Sequence, residues 1–341
     1  MSIDFYIFVT TNHQNQPLMK RIILVVIVLI ALAVVGLNYH VNANFNRSVD
    51  ADYPIPDIEV QPDSAKLAHG KYLALGPAHC AHCHSPLEGL PEVEQGKEVD
   101  MTGGFEFELP IGTLYTPNIT SDVETGIGGY SDGQLYRMLR HNVRHDGRIC
   151  LELMPFFAMS EYDVESIIVY LRSLKPVKQV RPEHDYNFLG KAIRTFAMKA
   201  SEPSSTPPDY VKRDSTAEYG KYLSEAVANC MGCHTERDLK TGAFVGEPYA
   251  GGTVFEDGST QYWKFVTPNL TPDPETGIIS SWSEEQFITR MRGGRVHMTS
   301  PMPWGPYSRL DDTDLKALYR FLKTVTPVKR DNAPFVTPPA T

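Results

Sequence analysis

The chain has 341 residues, 42% hydrophobic and 21% charged, a balance that excludes a disordered or collagen-like protein and leaves room for two ordinary domains. Its net charge of 32 − 41 = −9 argues against a nucleic-acid partner, which needs a basic face. Five cysteines are too few for a disulfide-dense scaffold and leave one over.

In chain order, residues 1–21 read as a cytoplasmic segment in which Met19 is an alternative start. Lys20 and Arg21 then precede sixteen uninterrupted apolar residues, Ile22 to Leu37. As a helix this run spans roughly 24 Å, short of the ~30 Å hydrocarbon core unless flanking residues join it. An uncleaved anchor over 22–41 is the preferred reading. The alternative is a signal peptide, because Val41-Asn42-Ala43 resembles a small-residue cleavage site. Either way the basic pair holds the N-terminal side in the cytoplasm and sends the rest across the membrane. Residues 42–63 read as a linker.

The remainder is one unit written twice. Gly70-Lys71-Tyr72-Leu73 recurs as Gly220-Lys221-Tyr222-Leu223, and Cys80-Ala81-His82-Cys83-His84 as Cys230-Met231-Gly232-Cys233-His234, both at an offset of 150. Thr116-Pro117-Asn118-Ile119-Thr120 matches Thr267-Pro268-Asn269-Leu270-Thr271, Glu124-Thr125-Gly126-Ile127 matches Glu275-Thr276-Gly277-Ile278, and Met154-Pro155-Phe156 matches Met302-Pro303-Trp304. Each copy ends on Pro-Val, at 176–177 and 327–328. A period this long predicts tandem domains, over 64–178 and 214–329.

Each copy reads as helical with long loops, and strand signals are weak. Helices are expected over 66–75 and 217–227, leading into the cysteines. Ser131-Asp132-Gly133-Gln134 and Ser283-Glu284-Glu285-Gln286 are capping boxes opening a second helix. Apolar residues at helical spacing, Val164, Ile167, Ile168, Leu171 and Leu315, Leu318, Phe321, Leu322, mark the last helix of each copy. Between the copies, 179–213 reads as a linker with an amphipathic docking helix around Phe188–Met198. Residues 330–341 read as a loose tail.

Two Cys-x-x-Cys-His motifs point to covalent attachment of two haem c groups. Cysteines one helical turn apart suit the two vinyl groups, and the adjacent histidine suits the iron. Zinc would need two further soft ligands per site, with Cys150 the only other thiol. A thiol redox pair rarely has histidine directly after its second cysteine. Cys80, Cys83, His84 and Cys230, Cys233, His234 are therefore the candidate haem residues. Met154 and Met302 are the candidate second axial ligands, giving high-potential His/Met irons. Met138, Met159, Met291 and Met298 lack methionine counterparts and read as core, while His141, His145 and His297 offer an unequal bis-histidine alternative. Arginines cluster at 137, 140, 144 and 148 and at 290, 292 and 295. A solvated helix face is the plain reading, yet Arg140 and Arg292 align and are candidates for the haem propionates. Trp304 reads as a porphyrin neighbour or ordinary core. Cys150 reads as a structural thiol, with competition for the first iron as the alternative. The sequons at Asn118 and Asn269 read as turn chemistry inside the repeat.

At these residues the sequence resembles the multihaem cytochrome c subunits of membrane-bound alcohol and gluconate dehydrogenases. Gly-Lys-Tyr-Leu, Thr-Pro-Asn-[Ile/Leu]-Thr-x-Asp-x-Glu-Thr-Gly-Ile and Met-Pro-aromatic carry the resemblance, from about Ala65 to Val328. It implies an all-α fold of class I cytochrome c domains, here two in tandem, to which the residues at 22–41 add a single transmembrane helix in front. Those subunits commonly carry three haem motifs, whereas this chain has two and an N-terminal anchor. The resemblance further implies an electron relay; no acid-base or nucleophile constellation stands out beyond the haem motifs, so no turnover of its own is expected, and the anchor holds it at a bacterial inner membrane with its haem domains in the periplasm. The expected partners are a dehydrogenase subunit, an oxidase or a quinol-oxidising complex. A dihaem peroxidase or thiosulfate-oxidising enzyme, or a terminal-oxidase subunit, is the competing expectation.

Overall fold

The computed structural model describes residues 16–238, 242–256, 263–297 and 299–338. Helix α1 (Gln16–Asn44) is longer than the apolar run alone. At 1.5 Å per residue it is about 44 Å long, enough to cross a bilayer. Its side chains from Leu18 to Tyr39 are exposed, and its mean hydropathy over the most apolar stretch is 2.9. Only its last turn meets the body of the protein, where Val41 is buried.

Two sets of elements follow, sharing the order helix, cysteine-motif helix, two strands, two helices and a third strand. The first contains α2 (Ser64–Leu75), α3 (Cys80–His84), α4 (Leu90–Glu94), β1 (Glu106–Leu109), β2 (Gly112–Tyr115), α5 (Asp132–His141), α6 (Glu161–Ser173), β3 (Asp185–Tyr186) and α7 (Phe188–Phe196). The second contains α8 (Ala217–Tyr222), α9 (Cys230–Cys233), β4 (Val254–Glu256), β5 (Lys264–Val266), α10 (Glu284–Arg292), α11 (Trp304–Ser308), α12 (Asp312–Leu322) and β6 (Val336–Thr337). Both capping boxes form. Ser131 and Ser283 each accept from the backbone N–H of the glutamine three residues on, and Gln134 and Gln286 accept in return at 2.8 Å.

Each set is built on one helix crossing. Gly70 of α2 lies against α6 so closely that a Cβ there would sit 1.8 Å from the Ser166 carbonyl oxygen. Gly220 of α8 repeats this against α12, 1.9 Å from the Ala317 oxygen. Only a residue without a side chain permits either approach. Around the crossings, Leu73, Ile167, Ile168, Leu223, Leu315 and Leu318 join one continuous apolar core that spans both copies.

The all-α expectation needs correction. Each copy carries a three-stranded antiparallel sheet, β1-β2-β3 and β4-β5-β6. The strands run for two to four residues and bury only Leu114, Tyr186 and Phe265, too short for a period-two pattern to register. The third strands fall in segments expected to be linker and tail: Gly112 pairs Tyr186, and Phe265 pairs Val336. The tail is accordingly tied down at 336–337.

The linkers also wrap the first copy. Buried Arg137 donates to Asp50 at 2.6 Å and to the Tyr53 carbonyl at 2.8 Å, and the Val60 amide donates to Asp132 at 2.9 Å. Farther on, the Ser201 amide donates to the His141 carbonyl at 3.0 Å and the Glu161 amide to that of Pro208 at 3.0 Å.

Gly70→Ala and Gly220→Ala should each destabilise the protein by about 1–3 kcal/mol, because the added carbon overpacks against a backbone carbonyl. Denaturant unfolding measures this, with exposed Lys221→Ala expected within about 0.5 kcal/mol of the parent.

Candidate functional site

Both cysteine motifs sit on short helices entered through the same local geometry. The Ala78 and Ala228 amides close back on Leu73 and Leu223 at 2.9 and 2.8 Å. The next residues, His79 and Asn229, take left-handed backbone with φ of 43° and 52°. Such a bend is costly for residues with a side chain, though His and Asn tolerate it better than most. It turns the chain so that Cys80 and Cys230 open a new helical turn.

The histidines that end the motifs are buried and oriented alike. His84 Nδ1 lies 3.0 Å from the Pro117 carbonyl oxygen, and His234 Nδ1 lies 3.1 Å from that of Pro268. A carbonyl only accepts, so Nδ1 carries the proton and donates, which leaves the lone pair on Nε2 for a metal. Burial lowers the pKa of both rings, against a smaller raising effect of the carbonyl, so both remain neutral.

This arrangement accounts for the repeated Thr-Pro-Asn segment. Asn118 donates to Thr125 Oγ1 at 3.1 Å and to the Val177 carbonyl at 2.8 Å, and it accepts from Thr120. Asn269 makes the same bonds to Thr276, Val328 and Thr271. Both asparagines are buried, as turn chemistry requires and glycosylation forbids. The loop so locked presents the proline carbonyl to the histidine.

A second support was missed from sequence. Gly103 and Gly251 have φ of 73° and 69°, and a Cβ on either would lie 2.3–2.5 Å from the carbonyl oxygens of the Thr-Pro pair. Their amides donate to the His84 and His234 carbonyls at 2.6 and 2.8 Å. The Gly-Gly doublets at 103–104 and 251–252 were the available signal.

Cys80, Cys83 and Cys230 are half-buried and Cys233 is exposed. Burial pushes Cys80 up to about 12 and Cys83 and Cys230 up to about 11. A structural zinc site takes four ligands. Among the described residues, no three His, Cys, Asp or Glu side chains gather as a metal cluster. The donor set therefore fits haem c. Cys150 is half-buried, and burial raises its pKa against nearby arginines, so it too remains a thiol.

Met154 and Met302 are half-buried against the shared core, as are Cys80 and Cys230. Each methionine carbonyl accepts from the amide two residues on, at 2.9 and 2.8 Å, so the two loops turn alike. Their outer supports differ. Asn142 donates to the Met154 carbonyl at 3.3 Å, whereas Arg295 donates to that of Met302 at 3.1 Å. The other histidines are engaged elsewhere: His145 stacks on Tyr130 at 4.2 Å, and His141 Nδ1 meets the Ser201 carbonyl at 3.0 Å. His297 is exposed beside Phe265. Met159 is fully buried and Met291 nearly so, while Met298 lies outside the described residues.

Arg140 and Arg292, the candidates for the propionates, both have protein partners, while Arg140 Nε is buried without one. Arg140 donates to the Phe157 and Met159 carbonyls at 2.8 and 2.7 Å and to Glu161 at 3.0 Å. Arg292 donates to the Ser308 carbonyl at 2.6 Å and to Asp312 at 2.8 Å. They are equivalent, but as staples between the methionine loop and the start of the last helix. Trp304 lies under Arg290, 3.7 Å from ring centre to guanidinium carbon.

The two motifs are joined across the copies. Tyr307 of α11 donates to the Ala228 carbonyl at 2.6 Å and meets the His79 ring edge-on at 5.6 Å. Glu94 of α4 accepts from Arg295 and from the Gly305 amide, each at 2.8 Å. Burial raises the Glu94 pKa, but His82, 3.6 Å away, and the hydrogen-bonded Arg295 outweigh it and bring the value down to about 2.

Residues 217–326 match the cytochrome c family. The chain is 30% identical over 294 residues to the cytochrome c subunit of a quinone-dependent alcohol dehydrogenase of Gluconacetobacter polyoxogenes, covering 82% of this chain and 60% of that one. It is 28% identical over 298 residues to the fructose dehydrogenase cytochrome subunit of Gluconobacter japonicus, covering 80% and 56%. It is 25% identical over 259 residues to a dihaem c-type cytochrome of Cereibacter sphaeroides, covering 73% and 83%. The chain thus spans somewhat over half the length of the two dehydrogenase subunits.

Glu94→Gln should cost about 1–3 kcal/mol at neutral pH by weakening a largely buried ion pair. The Glu94 pKa is depressed on folding, so its contribution is complete above pH 4.5 and is lost as pH falls from there through about 2. Denaturant unfolding of parent and variant across pH 2–6 should show the gap closing on the acid side.

Proposed function

We propose that this chain, a c-type cytochrome by its cytochrome c domain at 217–326, is a membrane-anchored dihaem relay that passes single electrons from a dehydrogenase or quinol donor to a respiratory acceptor. The observation that carries the reading is the pair of buried histidines, each fixed by a proline carbonyl with Nε2 left for iron. The family match falls on the second copy alone. The first copy supports a second haem because it repeats the helix crossing, the left-handed entry, the histidine bond and the asparagine-locked loop.

Cys80 and Cys83, and Cys230 and Cys233, would hold the two groups as thioethers, with His84 and His234 and then Met154 and Met302 as the side chains that would ligate iron. Haem iron then supplies one-electron chemistry, at a potential raised by a methionine ligand. The protein's part is orientation. Pro117 and Pro268 set the histidine tautomer and ring angle, and Asn118 and Asn269 hold those prolines in place. Arg140 and Arg292 hold the methionine loops to the last helices.

The N-terminal reading is an uncleaved anchor facing the periplasm. It is supported by α1 running helically through the cleavage-like Val41-Asn42-Ala43 to Asn44, with Val41 buried against the folded body. The dehydrogenase subunits named above support a dehydrogenase as the partner.

Iron analysis should find two haems per chain, and spectroscopy of the purified protein should find both low-spin. Met154→Ala and Met302→Ala should each turn one haem into a ligand-binding form of lower potential, while Cys150→Ala leaves the spectrum as it is. A high-spin haem with peroxidase turnover in the parent protein would sink the relay reading. If neither methionine variant changes the spectrum, the axial assignment fails instead.

A further inference from the structure

Helix α7 has a role that no haem assignment uses. At 100° per residue, Phe188, Leu189, Ala192, Ile193 and Phe196 fall within one arc of 140°, and Gly190, Lys191 and Arg194 lie on the other side. The second side faces the protein. A Cβ on Gly190 would lie 2.2 Å from the Ile111 carbonyl oxygen, and Arg194 donates to the carbonyls of Phe45 and Ile149 at 3.0 and 2.8 Å. The apolar arc faces outward, with Phe188, Leu189 and Phe196 exposed at 47%, 52% and 61%. Three large apolar side chains on nine residues are more than a soluble surface helix normally shows.

Their position says what covers them. α7 is bound to the last turns of α1, where the apolar helix ends. Lys191 donates to Asn42 at 3.1 Å and lies over the Phe45 ring, and the Phe196 ring stacks on His40 at 5.6 Å. The exposed strip therefore continues the apolar surface of α1 at its emerging end. Charge agrees. Residues 188–199 hold Lys191, Arg194 and Lys199 and no acidic residue, in a chain of net charge −9. Arg47 and Arg194 line the cleft between the two helices.

We infer that α7 is a membrane-surface helix, lying with Phe188, Leu189 and Phe196 among the headgroups of an anionic bilayer beside the point where α1 enters. This rests on the reading of α1 as a membrane span. An apolar face inserted at the headgroup boundary with cations at its flank is how interfacial helices bind. A span alone leaves the folded body free to swivel on its last turn. A second contact, braced to that turn by the Arg194 bonds, fixes the height and tilt at which both cysteine motifs stand above the membrane.

The test uses the full-length, haem-loaded protein in vesicles of phosphatidylethanolamine and phosphatidylglycerol. Phe188→Cys, Phe196→Cys, Leu29→Cys and Val123→Cys are each treated with a membrane-impermeant maleimide, and labelling is followed at the modified peptide by mass. Val123 is 72% exposed and away from α1 and α7 in sequence, so it sets the unprotected rate. Leu29→Cys, at the middle of α1, should stay unlabelled. Phe188→Cys and Phe196→Cys should label about tenfold more slowly than Val123→Cys, with unchanged haem spectra. Equal rates at 188, 196 and 123 with Leu29→Cys protected would overturn the inference and leave the anchor standing. Rapid labelling of Leu29→Cys would overturn the anchor, and the inference falls with it. Protection at 188 and 196 in cell membranes but not in purified vesicles would mean a protein covers the strip, and lipid would be the wrong occupant.

Discussion

The contact between Gly70 and the Ser166 carbonyl, repeated between Gly220 and Ala317, is the constraint on which the other contacts depend. Two helices that meet without an intervening Cβ lie closer than side-chain packing allows. Two residues beyond each glycine, this closeness brings a tyrosine to the end of the opposite copy's last helix. Tyr72 donates to Asp314 at 2.5 Å and accepts from the Asp311 amide at 3.0 Å. Tyr222 does the same to Asp163 and the Ser160 amide. The exchange is reciprocal, as in a two-fold interface between identical subunits. Asp314 is fully buried and Asp163 nearly so. Each buried carboxylate has a second partner, Arg213 at 2.8 Å or His69 at 2.7 Å, because an unpaired charge at this depth is strongly destabilising.

The same crossings aim the chemistry. A helix pinned by its glycine reaches its end at a defined place, and the left-handed residue after it then turns the chain into the cysteine motif. The histidine is caught by a carbonyl on a loop that is itself anchored through asparagine to the Pro-Val at the end of the last helix. Orientation of the candidate iron ligand is thus traced back, through hydrogen bonds of 2.8–3.1 Å, to the packing of the two helices. A ring held this way does not have to be reoriented when a metal binds, which is how outer-shell partners act at other metal sites.

Much of this was legible in the sequence because it is carried by residue identity at fixed spacing. The motifs, the capping boxes and the repeat all follow from side-chain type. What escaped was carried by backbone. The Pro117 and Pro268 carbonyls orient the histidines, yet a carbonyl is common to every residue and leaves no mark in a sequence. The strands are too short to show a period. Arg140 and Arg292 show the same limit. Their alignment is real, but the backbone carbonyls they bind, those of Phe157, Met159 and Ser308, leave no mark in a sequence. The tail after Lys329 looks unstructured because its role is to pair with β5 through two residues.

The copies have diverged where they touch. In the first, Asn142, from the same copy, supports the methionine loop. In the second, the support is Arg295, whose carboxylate partner Glu94 belongs to the first copy and also accepts from Gly305. Tyr307, from the second methionine loop, reaches the residues just before both motifs. The loop that offers Met302 is therefore built by both copies, while the loop that offers Met154 is supported within its own. Asymmetry of this kind separates two otherwise equal sites. The Glu94–Arg295–Met302 chain of hydrogen bonds crosses between the copies, whereas Asn142 lies in the same copy as Met154. The two methionine loops follow from one repeated plan, yet the contacts that support them differ.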